Sequence, residues 1–112
     1  MNWRLGRAVV LGFLFCAACL MCAGSSQAQN AAATFKAKCA GCHGADGKGN
    51  TGAGKALGVH DFTSPAVQKM TDEELTEVVT KGKNKMPAYG SSMNASEIKD
   101  LVAYVRELGG KK

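Results

Sequence analysis

The chain has 112 residues, of which 46% are hydrophobic, so it is long enough for one small domain and too short for several. Its formal charge at neutral pH is +5, from 14 lysines and arginines against 9 acidic residues. It contains no arginine cluster and no basic stretch with interleaved aromatic residues, so we expect no binding to nucleic acid.

Residues 1–28 have the layout of a secretory signal peptide. Two arginines precede an apolar run of about 17 residues, and the small residues Ser26 and Ala28 follow it. We therefore predict export to the periplasm and cleavage after Ala28, which leaves residues 29–112 as the mature domain. An uncleaved membrane anchor stays open as an alternative, although the apolar run is shorter than the roughly 20 residues that usually span a bilayer.

Cleavage would also change the cysteine count. Three of the five cysteines lie in the predicted leader, namely Cys16, Cys19 and Cys22. Acylation of Cys19 or Cys22 in a lipoprotein is a weaker alternative, because neither follows the sequence pattern that such sites usually show. The mature chain would keep only Cys39 and Cys42, and its formal charge would fall from +5 to +3 with the loss of two arginines.

Alanines around Phe35 predict a first helix over residues 30–38. It leads into Cys39-Ala-Gly-Cys42-His43. Two thiols at this spacing can add to the two vinyl groups of one porphyrin, and the adjacent imidazole then lies below the ring, where it can bind the iron. The motif therefore predicts one covalently attached haem c, bound through Cys39 and Cys42, with His43 as an iron ligand.

Three other interpretations of the motif stay open: a structural zinc half-site, a redox-active dithiol, and chance. Zinc would need two further ligands, and the part of the chain after the motif offers one histidine, His60, and no cysteine. A thioredoxin-like dithiol would lie in a strand–helix context, and no strong strand pattern surrounds this motif.

Six glycines between residues 44 and 58 predict a loop, which we expect to wrap one edge of the haem. One carbonyl of this loop is expected to accept the free ring N–H of His43. His60 follows the loop. We interpret it as a loop residue, with iron ligation as its alternative role. Phe62 is a candidate core residue.

Two later segments have the residues of a helix start with a capping box. Thr71 and Glu74 begin a helix that is predicted to end at Gly82, and Asn94 and Glu97 begin the last helix. Apolar residues recur at helical spacing in both. They are Leu75, Val78 and Val79 in the earlier helix and Ile98, Leu101, Val102, Val105 and Leu108 in the later one.

The last helix is predicted to cross the first, with Phe35 near Leu101, Tyr104 or Val105.

The loop between these two helices contains Met86, followed by Pro87. Of the three methionines in the predicted mature chain, Met70 and Met93 are explained as hydrophobic contacts at the two helix starts. Met86 has no such explanation, and a soft thioether suits iron(II). Pro87 restricts the loop. We therefore predict that Met86 is the second axial ligand of the iron.

This order of elements resembles the class I cytochromes c, in the small bacterial, cytochrome c6-like branch. The resemblance rests on Cys39-x-x-Cys42-His43 and on Lys-Met86-Pro, and it extends over roughly residues 31–108. It implies an all-α fold of three to four helices around one covalent haem, with His43 and Met86 as axial ligands. It also implies one-electron transfer outside the cytoplasm.

Two strong axial ligands leave no open position on the iron, so we expect an electron-transfer protein rather than an enzyme. The mature form is expected to be a monomer that is not embedded in a membrane and that exchanges electrons with redox partner proteins. Lys81, Lys83 and Lys85, just before Met86, form a cluster suited to steering an acidic partner. The alternatives are a haem c subunit of a larger dehydrogenase or terminal oxidase complex, and a gas-binding or peroxidatic haem in which Met86 is not a ligand.

Overall fold

The structure, a computed structural model, describes residues 25–110. Within that range the chain forms six α-helices, and a single antiparallel bridge between Lys83 and Met86 is its only β pairing. The helices are α1 (Ser25–Lys38), α2 (Ala40–His43), α3 (Gly52–Leu57), α4 (Pro65–Gln68), α5 (Asp72–Lys81) and α6 (Ala95–Leu108). The predicted all-α fold is therefore confirmed. The chain has more helices than the three to four predicted, because it also contains the short helices α2, α3 and α4. None of the helices in the described range is long and apolar enough to cross a membrane.

Most of the predicted signal peptide lies outside the described residues. Its last residues, from Ser25, belong to α1, which thus starts earlier than the predicted residue 30. Residues 25–30 contain no proline or glycine that would end a helix, so the helical conformation continues through them. The predicted cleavage position after Ala28 falls inside α1 and stays a prediction.

The core is centred on Phe35, where α1 and α6 cross. The Phe35 side chain is only 2% exposed, and its ring lies edge-on to Tyr104 at a centroid distance of 5.4 Å and to Phe62 at 6.0 Å. The predicted crossing of the first and last helices, with Phe35 near Tyr104, is therefore confirmed, and so is Phe62 as a core residue. The other buried members of this core are Val67, Leu75, Val79, Met93, Ile98, Leu101 and Val102.

Both predicted capping boxes are present. Thr71 Oγ1 accepts the Glu74 N–H at 3.1 Å, and the Glu74 carboxylate accepts the Thr71 N–H at 2.8 Å. Asn94 Oδ1 accepts the Glu97 N–H at 2.9 Å, and the Glu97 carboxylate accepts the Asn94 N–H at 2.8 Å. These bonds satisfy backbone donors that a helix start otherwise leaves unpaired, so α5 and α6 begin where the sequence predicts.

Arg106 fastens α6 to the start of α5. Its Nε donates to the Asp72 carboxylate at 2.8 Å, and its Nη2 donates to the Met70 carbonyl. The Arg106 side chain is 14% exposed, so this contact is partly shielded from water. The Arg106 contacts therefore hold the start of α5, the helix that precedes the Met86 loop.

The glycine-rich segment is not a loop throughout, and the loop prediction was wrong for residues 52–57. There Thr51 caps α3, because its Oγ1 accepts the Gly54 N–H at 2.8 Å. Gly58, with a φ of 65°, ends the helix in the left-handed conformation that glycine adopts readily. Because glycine is common in loops, the many glycines in this segment led us to overlook Thr51 as a helix N-cap residue.

Candidate functional site

Cys39, Cys42 and His43 lie within one helical turn at the junction of α1 and α2. The Cys39 N–H donates to the Phe35 carbonyl at 2.8 Å, and the His43 N–H donates to the Cys39 carbonyl at 3.0 Å. Residues three and four positions apart on a helix lie on the same side of it. The two thiols and the imidazole therefore share one side of this turn. Both thiols are half-buried, and neither forms a disulfide within the described part of the chain.

The imidazole of His43 is held in an apolar environment. Its ring centroid lies 5.0 Å from that of Phe62, with an angle of 34° between the ring planes. Burial lowers the pKa of His43, so the imidazole is neutral at physiological pH and keeps the lone pair that a metal ligand needs. Burial also raises the pKa of the Cys39 thiol, against a smaller opposing effect of the Lys38 charge.

The predicted hydrogen bond from the His43 ring to a loop carbonyl is absent. Nδ1 of His43 is buried and has no hydrogen-bond partner in the described part of the chain. The polar groups of the glycine segment are used otherwise: the Gly49 N–H donates to the His43 backbone carbonyl at 2.7 Å, and the Thr51 hydroxyl donates to the Cys42 carbonyl at 2.9 Å. The segment therefore supports the backbone of the motif rather than the ring.

α3 packs directly on this backbone at Gly54. A Cβ atom at this position would lie 2.4 Å from the Cys42 carbonyl oxygen and 2.5 Å from that of Gly49, closer than real Cβ atoms come. Only glycine allows such an approach. Thr51 and Gly54 thus position the motif, and neither was identified from the sequence. In the sequence, Thr51 could have been recognised as a candidate N-cap residue for a helix that contains Gly54, three positions later.

Met86 lies in a tight turn after α5. The Lys83 N–H donates to the Met86 carbonyl at 3.2 Å, and the Met86 N–H donates to the Lys83 carbonyl at 2.9 Å. Asn84 has a φ of 54° and Gly82 a φ of 75°, so the turn uses two left-handed residues. The Met86 side chain is half-buried and packs against the core. It is held by the fold rather than free in solvent.

Tyr89 brings the Met86 loop next to the cysteines. Its hydroxyl donates to the carbonyl of Lys38, the residue before Cys39, at 3.2 Å. Burial raises the pKa of the Tyr89 hydroxyl. No local pattern in the sequence indicates this contact.

A cleft of about 530 Å³ opens between α4, α5 and the start of the Met86 loop. Val67, Met70 and Val78 supply its apolar lining, and Val78, one of the apolar residues at helical spacing in α5, is half-buried there. His60 lies in the loop between α3 and α4, as predicted, and its exposed side chain also lines the cleft. Cys39, Cys42, His43 and Met86 are not among the residues that line it, so the cleft itself does not locate the haem.

These groups fit a covalently bound haem. Two thiols that are unpaired within residues 25–110 and a neutral imidazole lie in one helical turn, and the buried Nδ1 of His43 has no partner among the same residues. A structural zinc site fits less well. Within residues 25–110 no three His, Cys, Asp or Glu side chains lie close enough together to hold a metal ion.

Comparison with known proteins agrees with this chemistry. Residues 26–105 match a family model described as cytochrome c oxidase, cbb3-type, subunit III. The chain is 36% identical over 85 residues to a cbb3-type cytochrome c oxidase subunit FixP of Azorhizobium caulinodans. That match covers 74% of this chain and 28% of FixP, so the chain corresponds to a minor part of this relative.

Similarity over most of both chains is found with cytochromes c6. The chain is 35% identical over 105 residues to the cytochrome c6 of Rippkaea orientalis, a match that covers 91% of this chain and 90% of that one. It is 33% identical over 87 residues to the cytochrome c6 of Gloeothece citriformis, with 78% and 76% covered. Among solved structures it is similar to the KustC0563 c-type cytochrome, with a TM-score of 0.65 and 31% identity over 73% of this chain and 98% of that chain.

Proposed function

Because this chain belongs to the family of small class I c-type cytochromes, we propose that it is an exported carrier of single electrons between redox proteins in the periplasm. Family membership itself establishes a protein with one covalently bound haem c that takes part in electron transfer. The carrier role, the ligand residues and the location are the parts that we propose.

One observation carries the proposal: two thiols that are unpaired within residues 25–110 and a neutral imidazole lie three and four positions apart in one half-buried helical turn. We assign the two haem thioether bonds to Cys39 and Cys42. His43 and Met86 would supply the two protein ligands of the iron. The assignment of Met86 is supported by its half-buried side chain and by the Tyr89 contact, which brings its loop beside the cysteines.

The bound haem supplies a one-electron couple of the iron, and a thioether ligand favours the reduced form more than a second imidazole would. The chain contributes fixed ligand positions. The His43 backbone is held by the Cys39 carbonyl and by the Gly49 N–H, and Met86 lies in a turn closed by two hydrogen bonds to Lys83. Ligands that are fixed before and after transfer require little rearrangement of the protein, which suits a carrier better than an enzyme.

The proposed periplasmic location rests on the leader. Its charged start, apolar centre and small residues before Gln29 are the features of a signal peptide. A c-type haem attached through Cys39 and Cys42 would also leave no free thiol after cleavage.

Two lysines on the Met86 loop form the proposed docking surface. Lys83 and Lys85 are exposed on either side of Asn84, and neither has an ion-pair partner in the described range. Lys81, the third lysine of the predicted cluster, instead pairs with Glu77 at 2.8 Å, and its hydrogen bond lowers the pKa of the Glu77 carboxyl. Lys83 and Lys85 would therefore carry most of the attraction toward an acidic partner.

A second candidate function follows from the family model and from FixP: a haem c subunit held in a larger oxidase complex. Fractionation of native cells distinguishes the two. A carrier would be recovered in the periplasmic fraction as a monomer, whereas a subunit would sediment with membranes and elute with its complex.

Haem staining of a denaturing gel tests the attachment. In the native chain the stain should migrate with the polypeptide, because thioether bonds survive denaturation. Cys39→Ala with Cys42→Ala should abolish it. Thr51→Ser, which keeps the hydroxyl that donates to Cys42, is a matched control near the site and should keep the stain. Staining that survives the double cysteine change would contradict the assignment.

A further inference from the structure

Tyr89 connects two parts of the chain that the proposed iron coordination needs to keep together. Its hydroxyl donates to the Lys38 carbonyl at 3.2 Å, across 51 positions of sequence. Lys38 is the last residue of α1 and directly precedes Cys39. Carbonyls in the last turn of a helix lack partners within the helix, and this one is satisfied by the Met86 loop.

The backbone of Tyr89 is fixed on both sides. Its N–H donates to the Val79 carbonyl at 2.9 Å, and its own carbonyl accepts the N–H groups of Ser92 at 3.1 Å and Met93 at 3.0 Å. Only Pro87 and Ala88 separate this fixed point from Met86. Displacement of the Met86 backbone from its place in the loop therefore strains the contacts of Tyr89.

We propose that Tyr89 is a positioning residue that holds the Met86 sulfur over the haem-attachment motif. The inference rests on the proposed ligation by His43 and Met86. Without the hydroxyl, the loop loses its side-chain link to Lys38 but keeps its backbone anchors. The sulfur then leaves its position more often, while the fold is retained.

Binding of imidazole to the oxidised holoprotein measures how often Met86 leaves, because imidazole competes with it for the iron. Tyr89→Phe should tighten the apparent imidazole affinity about two- to fivefold. This fold-change corresponds to the lower part of the free-energy range for one neutral hydrogen bond. We choose the lower part because a donor–acceptor distance of 3.2 Å is long for a hydroxyl donor. Tyr104→Phe is the matched control. Tyr104 is also half-buried, but its ring packs on Phe35, and its change should leave the affinity unaltered.

A double-mutant cycle separates this inference from the proposed function. Met86→Ala should tighten imidazole binding strongly, and Tyr89→Phe should add nothing in that background, since Tyr89 acts through Met86. An effect of Tyr89→Phe that persists there, or no effect in the native background, would overturn the positioning role alone. If Met86→Ala itself leaves imidazole affinity unchanged, the ligation by Met86 fails, and the inference fails with it.

Discussion

The contact between Gly54 and the haem-attachment motif gives the most quantitative prediction. In Gly54→Ala the new Cβ would lie 2.4 Å from the Cys42 carbonyl oxygen, and 2.5 and 2.9 Å from oxygen atoms of Gly49 and Thr51. Real Cβ atoms stay at least 3.0 Å away, so the Cys42 carbonyl or α3 must move by about 0.6 Å. Two of the three oxygens belong to the backbone and cannot rotate away.

The expected cost combines two opposing effects. Overpacking of a close contact costs about 1–3 kcal/mol, and the upper end applies where backbone atoms block the new group. Alanine inside a helix gains roughly 1 kcal/mol over glycine. We therefore expect Gly54→Ala to lower the free energy of unfolding by about 2 kcal/mol.

Gly52→Ala is the matched control, because it lies in the same helix and its Cβ would meet nothing within 4 Å. It should be neutral or stabilise the protein by up to about 1 kcal/mol. Denaturant unfolding of both holoproteins, followed by far-UV circular dichroism, measures the difference. Equal unfolding free energies for the two variants would refute the reasoning that α3 packs tightly on the motif.

Three further predictions test other parts of the account. Asn94→Ala should lower the unfolding free energy by about 1 kcal/mol in denaturant melts, while Asn94→Ser, which keeps a capping oxygen, should lose little. Lys83→Glu with Lys85→Glu should flatten or invert the fall of the second-order electron-transfer rate with ionic strength, as measured by stopped flow; a rate indifferent to salt in both proteins would exclude steering. The intact mass of the exported protein should match a chain that starts at Gln29 plus one haem, and a mass that includes the leader would contradict cleavage after Ala28.

Local signals in the sequence predicted much of this molecule. The capping boxes at Thr71 and Asn94 depend on residues three positions apart, so they can be identified without knowing the fold. The same holds for the spacing from Cys39 to His43. The crossing of α1 and α6 was also predictable, because Phe35, the one large apolar residue of the predicted first helix, had to pack against the long apolar stripe of the last helix.

Other contacts between distant segments could not be predicted. The hydroxyl of Tyr89 meets Lys38 across 51 positions, and no local pattern signals that pairing. The His43 ring was expected to find a carbonyl, but it lies against Phe62 instead. α3 was missed because its close approach at Gly54 requires glycine, the residue that in isolation indicates a loop.

The central claim is that His43 and Met86 both bind the haem iron, which makes the protein a carrier rather than a ligand-binding or catalytic haem protein. Optical spectra of the purified holoprotein, oxidised and reduced, with and without carbon monoxide, test it most directly. We predict a weak thioether–iron band in the oxidised protein and no carbon monoxide binding in the reduced one. Met86→Ala should lose the band and bind carbon monoxide, while His60→Ala should behave as the native protein. Carbon monoxide binding by the native protein, or spectra altered by His60→Ala and not by Met86→Ala, would contradict it.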